Sequence, residues 1–577
     1  MWFREHGSWI WVAVLWTLVQ LPFLSGPFRI DDPYHLEAAQ QMRRAPADPY
    51  GFEINWDGTP KSAFDTYASP PLVPAWLAFW VYLCPQNEVS LHAAMLPFSL
   101  AAILTFGLLA KSFDIRPWVA MGLLACSPAF FLGSQVLMPD LPMLCLFLLT
   151  VTGARFYQLR QNSWAAPVAC IAGFCCPLAK YNGVVLVPVL IFLELARWRT
   201  LRPDPKTGGD GSSSRRSTLF TPGMVTIISA PILSLICWGA FTWTKYGAVH
   251  FLKMSAFQRG QAHSLDAATL TAAVLGVLGV GVVPLVLVGF LFRPQRRSSW
   301  VVGVTSCSTA GAALLAKLVN YKLSSILLFA LSVCISVYIL ATAICFAWRR
   351  FSSKDWILIS LVVWILLGLS FQYGLMFSAV RYVLFLAPPV ILLVLRLSAW
   401  NPGHNRVVLM FVGDLLFVVA LGLADARQAW VYPSVVAEEI RPRLEKSGGR
   451  FFFDGHWGFQ YYASQIGGTP IDELNLPALR AGDLIVVAKT AWSKLKQPPP
   501  APGFDVETTL LMVPASGVLR TVSCGAGANF YASVVSDCER PTWLPFGFSS
   551  EPAETFVFYQ VKKPSMAERL TSQESGR

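Results

Sequence analysis

Two adjacent carboxylates, Asp31 and Asp32, follow the first apolar segment of the chain, within the sequence FRIDDPYHLE of residues 28–37. They stand where a membrane-spanning helix would end and water would begin, and His35 and Glu37 follow at the start of a predicted helix. A carboxylate at the edge of a low-dielectric slab can act as a general base, because partial desolvation raises its proton affinity without neutralising it. The pair is therefore a candidate catalytic site.

The same residues also fit a structural role. Asp is favoured at a helix N-cap, and Pro33 suits the first helical position. An isolated Asp-Asp-Pro sequence does not separate the two interpretations. The decision depends on whether other parts of the chain bring further charged residues to the pair.

The composition is typical of a polytopic membrane protein. Of the 577 residues, 54% are hydrophobic and 14% are charged, and the mean hydropathy is +0.51. A net charge of +12 would suggest nucleic-acid binding in a soluble protein. Here Lys and Arg gather in short loops between apolar runs, where they act as topology signals. We therefore expect the lipid bilayer as a partner, and no nucleic acid.

Thirteen apolar runs are long enough to cross a bilayer, which needs about 17 to 25 residues, or slightly fewer when flanking residues snorkel. They lie near 8–24, 89–110, 118–136, 141–158, 163–178, 183–196, 223–244, 267–292, 299–318, 322–346, 355–377, 382–397 and 407–424. We expect the first run to be a retained span, since no small-residue cleavage site follows it. The shorter run from Pro71 to Cys84 has the length of an interfacial helix.

The distribution of basic residues decides whether the run from Pro71 to Cys84 crosses the membrane. If it does not cross, 18 of the 25 Lys and Arg residues between residue 85 and the end of the last span lie on the cytoplasmic side. If it crosses, the ratio inverts, against the positive-inside rule. We therefore place it on the outer surface of a cytoplasmic (inner) membrane, with the active site and the C-terminal region on the extracytoplasmic face.

These spans divide the chain into two predicted domains. Residues 1–424 form a transmembrane module, with a large extracytoplasmic loop at 25–88 and a flexible cytoplasmic loop at 198–222 that is rich in Gly, Ser and Arg. Residues 425–577 form a soluble α/β domain with a helix near 433–446. Its predicted strands are Phe451–Phe453, Asp483–Ala488, Thr508–Val513 and Phe556–Val561.

Ten of the twelve cysteines lie in or beside apolar segments at no metal-ligand spacing, which is typical of small buried hydrophobic residues. Cys524 and Cys538 lie in the polar C-terminal region. They are candidates for a disulfide if that region faces an oxidising compartment.

Further charged residues stand at the predicted outer ends of later spans. Asp140 lies in LMPDLP, Lys180 and Tyr181 in PLAKYNG, and Arg381 and Tyr382 in SAVRYVLFLAPP. Basic residues on the outside run against the positive-inside bias, so each needs a reason. They could hold a phosphate at headgroup level, where a guanidinium binds two oxygens at once. Alternatively they contact lipid headgroups or pair with Asp140, which could itself orient an acceptor or bind a cation.

The order of these features resembles the glycosyltransferase family 39 group of the GT-C superfamily, which includes protein O-mannosyltransferases and the aminoarabinose transferases of lipid A. The features are an acidic pair after the first span, a Pro-Pro apolar helix (Ser69 to Trp80), a Pro-Asp after the third span, a Lys-Tyr turn, and an Arg-Tyr before a proline-bearing span. The resemblance covers about residues 8–400. It implies a polytopic α-helical GT-C fold with about thirteen transmembrane helices and a C-terminal soluble α/β domain.

The resemblance also implies an activity, namely inverting transfer of a sugar from a polyprenyl-phosphate carrier to a hydroxyl acceptor on the extracytoplasmic face. By position, Asp31 corresponds to the catalytic Asp of the first loop and acts as general base, and Asp140 to the acid of the second loop. Asp32 stands where many members have Glu. Lys180 and Arg381 correspond to phosphate-binding positions.

Other residues are predicted to line the same pocket: His35, Glu37, Tyr181 and Tyr382. One departure from the family pattern is Ser69, where several relatives have Lys directly before the Pro-Pro pair. Lys61 could substitute for that Lys, or the phosphate could rest on Lys180 and Arg381 alone.

Several alternatives stay open at this stage. No metal or cofactor is required for the chemistry, although a divalent cation between Asp31 and Asp140 could replace the cationic side chains. The second functional hypothesis is a transporter or flippase of a lipid-linked or anionic substrate, with the outer charges as a gate. The absence of an internal repeat weakens it. A third is a catalytically silent relative whose C-terminal domain binds a partner.

Overall fold

The computed structural model describes residues 2–55, 58–160, 164–201, 219–262, 266–284, 299–351, 355–375, 377–397, 404–473, 476–533, 538 and 540–563. The predicted cytoplasmic loop 198–222 lies mostly outside these residues, and so does the last part of the predicted span 267–292.

The chain is mostly helical, at 65%. The helices are α1 Trp2–Gln20, α2 Asp32–Arg44, α3 Ala63–Thr66, α4 Leu72–Leu83, α5 Glu88–Ala93, α6 Leu96–Lys111, α7 Pro117–Ala125, α8 Pro128–Gly133, α9 Asp140–Arg160, α10 Ala165–Ala179, α11 Leu186–Leu201, α12 Pro222–Tyr246, α13 His250–Ala262, α14 Ala267–Val282, α15 Ser299–Leu318, α16 Leu323–Phe351, α17 Trp356–Gln372, α18 Val380–Val383, α19 Ala387–Leu397, α20 His404–Val435, α21 Arg441–Ser447 and α22 Trp457–Gln465. Short 3₁₀ turns occupy Leu21–Phe23, Tyr181–Val185 and Leu384–Leu386.

Eight helical segments of the described residues are long and apolar enough to cross a membrane: Glu88–Lys111, Asp140–Leu159, Tyr181–Thr200, Pro222–Tyr246, Ser299–Leu318, Leu323–Phe346, Val380–Leu397 and Val407–Ser447. Seven of them contain a predicted span, and Leu323–Phe346 covers all but the first residue of the span 322–346. Four shorter apolar helices match further spans, namely Ser8–Phe23, Ala165–Ala179, Ala267–Val282 and Trp356–Gln372. The polytopic helical fold is confirmed, and the count of thirteen crossings stays a prediction.

The predicted span 118–136 is not a single helix. It is divided into α7 and α8, and Ser127 between them has an extended backbone. Pro128 explains the break, because proline has no N–H to donate and disfavours a helical conformation at the residue before it. The side-chain hydroxyl of Ser127 donates a hydrogen bond to the carbonyl of Val282 at 2.7 Å.

The first loop, 25–88, is ordered by helices α2, α3 and α4 and by a small hairpin of β1 (Glu53–Ile54) and β2 (Lys61–Ser62). Asp31, near the start of this loop, and Asp140, at the start of α9, line one cavity. Helix α4 has 12 residues, fewer than the about 17 to 25 residues that a crossing needs. The placement of the run from Pro71 to Cys84 on the outer surface stays a prediction.

Helix α20 continues without a loop into the C-terminal region. After α20 come a π-helical turn at Val436–Ile440 and α21, so that the helical segment Val407–Ser447 runs for 41 residues. The turn follows Pro433, which removes one helical hydrogen bond. The predicted domain boundary at residues 424 and 425 therefore falls within a continuous helix, and so does the predicted helix 433–446.

The C-terminal domain is built on a five-stranded mixed sheet, with strand order β4-β3-β5-β11-β6. The strands after the first hairpin are β3 Phe451–Asp454, β4 Thr469–Pro470, β5 Leu484–Ala488, β6 Asp505–Val513, β7 Leu519–Arg520, β8 Val522–Ser523, β9 Ala528–Asn529, β10 Gly547–Phe548 and β11 Glu554–Lys562. β3 pairs in parallel with β4 and β5, and β11 pairs antiparallel with β5 and β6. All four predicted strands are confirmed. β5 is apolar throughout because it is buried on both faces.

One hydrophobic core extends from the membrane helices into this sheet. Helix α22 packs directly on the chain before the acidic pair, where Phe28 N–H donates to the Tyr462 hydroxyl at 2.9 Å. A Cβ atom at Gly458 would lie 2.2 Å from the carbonyl oxygen of Phe28, so this close approach requires glycine. The C-terminal domain thus touches the loop that carries the candidate base.

Candidate active site

A cavity of about 440 Å³ lies beside the acidic pair, between the first loop and the helix ends around residues 140, 180 and 381. Seven of the predicted site residues line it, namely Asp31, His35, Asp140, Lys180, Tyr181, Arg381 and Tyr382. Apolar side chains from other helices complete the lining, among them Leu235, Phe251, Met254, Phe371 and Leu375. The cavity therefore combines a charged cluster with a large apolar surface.

A larger groove of about 760 Å³ lies elsewhere, between α20 and the end of β6. Its lining is mainly apolar, and none of the predicted site residues contributes to it. We assign the candidate site to the smaller cavity, because that is where the carboxylates and cations meet.

A tight turn presents Asp31 to the cavity. Ile30 adopts a positive φ of 50°, a conformation that is costly for a β-branched residue. The turn is closed by the N–H of Asp32, which donates to the carbonyl of Arg29 at 3.0 Å. Asp31 occupies the N-cap position of α2, yet its side chain makes no capping hydrogen bond. The capping interpretation therefore does not describe this carboxylate, which is directed to Arg381 instead.

The Asp31 carboxylate pairs with the guanidinium of Arg381, with Oδ2 and Nη1 2.8 Å apart. The same Nη1 lies 2.8 Å from the sulfur of Met138, and Nη2 lies 3.4 Å from the Tyr382 hydroxyl. The side chain of Arg381 is 13% exposed, and that of Asp31 is 30% exposed. Asp31 is thus the more accessible partner, and a molecule in the cavity can reach it.

A second ion pair joins Asp140, at the start of α9, to Lys180, with Oδ1 and Nζ 2.5 Å apart. Burial of the Lys180 ammonium lowers its pKa, while the charge of Asp140 opposes that shift. Both cations lie close to the ring of Tyr382, with Lys180 Nζ 4.5 Å and Arg381 Cζ 5.1 Å from the ring centroid. The pairing of Lys180 with Asp140, foreseen as an alternative to phosphate binding, is present and faces the cavity.

Asp32 points away from the cavity and has a structural role. Its side chain is fully buried, and its two oxygens accept the backbone N–H groups of Arg29 at 2.9 Å and of Leu137 at 2.7 Å. His92 Nε2 lies 3.9 Å from Oδ2. Asp32 therefore ties the first loop to the segment before α9, and the prediction that it is a catalytic residue is not supported by its position.

Asp32→Asn should lower the free energy of unfolding by about 1.5 to 3 kcal/mol, the range for hydrogen bonds to charged groups. The amide cannot accept from both backbone donors as the carboxylate does. Thermal unfolding in detergent measures this loss. The matched control is Asp31→Asn, which faces the cavity and should unfold close to the wild type. An Asp32→Asn protein as stable as the wild type would contradict the structural role.

His35 lies in the cavity wall, with Nδ1 2.7 Å from the Tyr67 hydroxyl. Burial lowers the pKa of His35 to about 4, and the neighbouring Asp31 and Asp32 oppose this shift. The imidazole is therefore neutral at physiological pH. It can exchange hydrogen bonds with a substrate, but it adds no positive charge to the cluster.

The pKa of His35 predicts an acid sensitivity. Between its ordinary value of 6.5 and about 4, the unfolded chain binds a proton that the folded chain does not, so stability falls as the pH drops through this window. His35→Asn removes the titrating group and keeps a hydrogen-bonding side chain near Tyr67. Melting temperatures at pH 7, 6, 5 and 4 should fall less steeply for this variant. Parallel profiles for the two proteins would contradict the prediction.

Glu37 does not line the cavity, contrary to the sequence prediction. It stands two residues after His35 on α2, which places it about 200° around the helix from that side chain. Burial raises the pKa of Glu37 to about 7.

The cavity wall also includes residues that the sequence did not single out as site residues. Ser69, at the position where several relatives have Lys, lines the cavity, whereas Lys61 does not and lies in the exposed hairpin. Behind the wall, the Tyr181 hydroxyl contacts His250 Nδ1 at 2.6 Å and accepts from Trp238 at 2.9 Å. These partners come from distant segments, and no local motif marks them.

Comparisons with known proteins concern the fold. No protein-family profile and no curated protein matches the chain. The chain resembles the apo oligosaccharyltransferase of Archaeoglobus fulgidus with a TM-score of 0.42 and 14% identity, over 82% of this chain and 65% of that one. It resembles ArnT from Cupriavidus metallidurans bound to undecaprenyl phosphate with a TM-score of 0.38 and 12% identity, over 84% of this chain and 93% of that one.

The chain spans less than two thirds of the length of the archaeal oligosaccharyltransferase. Because the TM-scores are below 0.5, the assignment of an activity rests on the residues of the cavity.

Proposed function

We propose that the chain is a membrane glycosyltransferase that moves a sugar from a polyprenyl-phosphate carrier to a hydroxyl acceptor, with inversion at the anomeric carbon. The observation that carries the proposal is the meeting of two carboxylate–cation pairs in one cavity that is otherwise largely apolar. Such a donor needs cations for its phosphate, an apolar surface for its lipid chain, and a carboxylate near the sugar to accept a proton.

In this reaction the donor phosphate binds beside Arg381 and Lys180. Arg381 then exchanges its hydrogen bond with Asp31 for bonds to the phosphate, which leaves the carboxylate free to act as a base. Binding of the donor and activation of the base are thereby coupled. Asp140 keeps Lys180 at the cavity, and the ring of Tyr382 contacts both cations.

Asp31 accepts the proton of the acceptor hydroxyl. At the same time the oxygen of that hydroxyl forms a bond to the anomeric carbon. The bond from that carbon to the phosphate oxygen breaks, and its electron pair leaves with the polyprenyl phosphate. Arg381 and Lys180 stabilise the negative charge that develops on this leaving group. We assign the charge neutralisation to these two side chains, without a metal or other cofactor.

We place the reaction on the extracytoplasmic face of the cytoplasmic membrane. The excess of basic residues in the opposite loops supports this orientation. So does the disulfide between Cys524 and Cys538, since such bonds persist in oxidising compartments.

The test uses the wild-type protein in reconstituted vesicles with a panel of polyprenyl-phosphate sugars and hydroxyl acceptors, followed by mass spectrometry. We expect consumption of one donor and release of polyprenyl phosphate. Movement of an intact labelled donor across the membrane without consumption would favour a transporter or flippase. No consumption of any donor that the protein binds would favour a catalytically silent relative.

A further inference from the structure

A segment of the C-terminal domain is hydrogen-bonded to the chain just before Arg381 and, through Asp425, to the turn just before Asp31. We call residues 521–533 the clamp segment. It contains the short hairpin of β8 and β9, and the disulfide from Cys524 to Cys538 covalently constrains it. Its residues lie far from the cavity motifs in sequence, and none of them lines the cavity.

The first contact of the clamp segment fixes the chain directly before Arg381. Val380 N–H donates to the carbonyl of Phe530 at 3.2 Å, and Ser533 N–H donates to the carbonyl of Ser378 at 2.8 Å. Ser378 N–H in turn donates to the Ser533 hydroxyl at 2.9 Å. Three hydrogen bonds thus hold residues 378–380 and set the position from which the Arg381 side chain extends.

The second contact reaches the turn that presents Asp31. The hydroxyls of Tyr531 and Thr521 donate to the two carboxylate oxygens of Asp425 on α20, each at 2.7 Å. Asp425 forms a buried ion pair with the guanidinium of Arg29. The carbonyl of Arg29 accepts the N–H of Asp32 that closes the turn, so the side chain of Asp425 anchors the turn at its first residue.

Tyr531 connects the two contacts. Its backbone lies between Phe530 and Ser533, which bind residues 378–380, and its hydroxyl donates a hydrogen bond to Asp425. The Asn529 side chain fixes it by accepting the N–H groups of Tyr531 at 2.9 Å and Ala532 at 3.1 Å. All of these residues are buried. The segment is therefore an ordered bridge between the two charged partners.

We propose that the clamp segment sets the relative position of Asp31 and Arg381, and that Tyr531 is a positioning residue of the transferase. This inference rests on the proposed function for its kinetic part. In the proposed reaction, Arg381 gives up its hydrogen bond to Asp31 and binds the donor phosphate, and this exchange depends on the geometry of the Asp31–Arg381 pair. A misplacement of 1 Å at a reacting centre can lower a rate about 10²-fold.

The experiment compares Tyr531→Phe with Tyr432→Phe. Tyr432 is also buried, and its hydroxyl also donates to a carboxylate, that of Glu554 at 3.2 Å, but it does not contact the turn or residues 378–380. We expect Tyr531→Phe to lower kcat between about 10-fold and about 10²-fold with little change in KM. Tyr432→Phe should lose comparable thermal stability and keep the wild-type kcat. Equal kcat values in the two variants would overturn the inference.

Hydrogen–deuterium exchange gives a second readout that does not depend on activity. In Tyr531→Phe, peptides covering residues 28–35 and 378–384 should exchange faster, whereas in Tyr432→Phe they should match the wild type. Unchanged exchange in both peptides would also overturn the inference. If Tyr531→Phe does not fold, Thr521→Val removes the other hydroxyl on Asp425 and is compared in the same way. A wild type without turnover would refute the proposed function, while the exchange data would still decide the positioning role.

Discussion

Asp31→Asn is expected to lower the rate of sugar transfer by about 10²-fold to 10⁴-fold, the range that a positioned general base contributes. The amide has the size of the carboxylate but cannot accept the proton of the acceptor hydroxyl. It keeps an oxygen that can face Arg381, so the phosphate site should stay intact. Transfer measured by mass spectrometry should therefore be lost, while binding of the polyprenyl-phosphate donor to the purified protein persists.

Asp65→Asn is the matched control for this variant. Asp65 also lies in the first loop and pairs with a cation, Lys253, but it is exposed and does not line the cavity. It should transfer sugar at the wild-type rate. If Asp31→Asn and Asp65→Asn are equally active, Asp31 has no part in the reaction.

Arg381→Ala should have the second large effect, with kcat lowered by about 10²-fold to 10³-fold, as for the loss of one donor to a developing oxyanion. KM for the donor should also rise, because in the proposed reaction the guanidinium binds the phosphate before the chemical step as well as during it. Steady-state kinetics with varied donor concentration separate the two effects. Arg381→Lys should recover only part of the rate, since an ammonium lacks the planar fork that binds two oxygens.

The control for Arg381 is Arg396→Ala. Arg396 lies near the other end of the same helical segment, Val380–Leu397, and donates to the carbonyl of Phe113 at 2.8 Å. It does not line the cavity, so its removal should leave donor KM unchanged. A wild-type KM and kcat in Arg381→Ala would refute phosphate binding at this position.

Most of the charged cluster could be predicted because residue type and membrane topology carry the information. Asp31, Asp140, Lys180 and Arg381 are polar residues at the ends of apolar segments on one predicted face, and they meet in the structure. The predictions for Asp32 and Glu37 differ from the structure because the geometry of α2 decides which side chains face the cavity.

Along α2, the spacing of three and four residues directs Tyr34 and His35 to the cavity together with Asp31, and turns Asp32 and Glu37 away. Asp32 and Asp31 are chemically identical, and their different positions at the start of α2 separate their roles.

The apolar helices and the strands were also predictable, since both follow from local hydrophobic patterns. The helix break at Ser127 was not predicted, although Pro128 disfavours a helical conformation at the residue before it. The clamp segment could not be predicted at all, because its hydrogen bonds join residues about 100 to 150 positions apart and leave no periodic signal.

The continuous helix Val407–Ser447 has a mechanical consequence. At 1.5 Å per residue, its 41 residues extend about 60 Å, roughly twice the thickness of the hydrocarbon core. Asp425 lies on this rod, and it holds Arg29 and the clamp segment. One helix that is long enough to cross the membrane therefore also fixes, near its middle, the residue that joins Arg29 to the clamp segment.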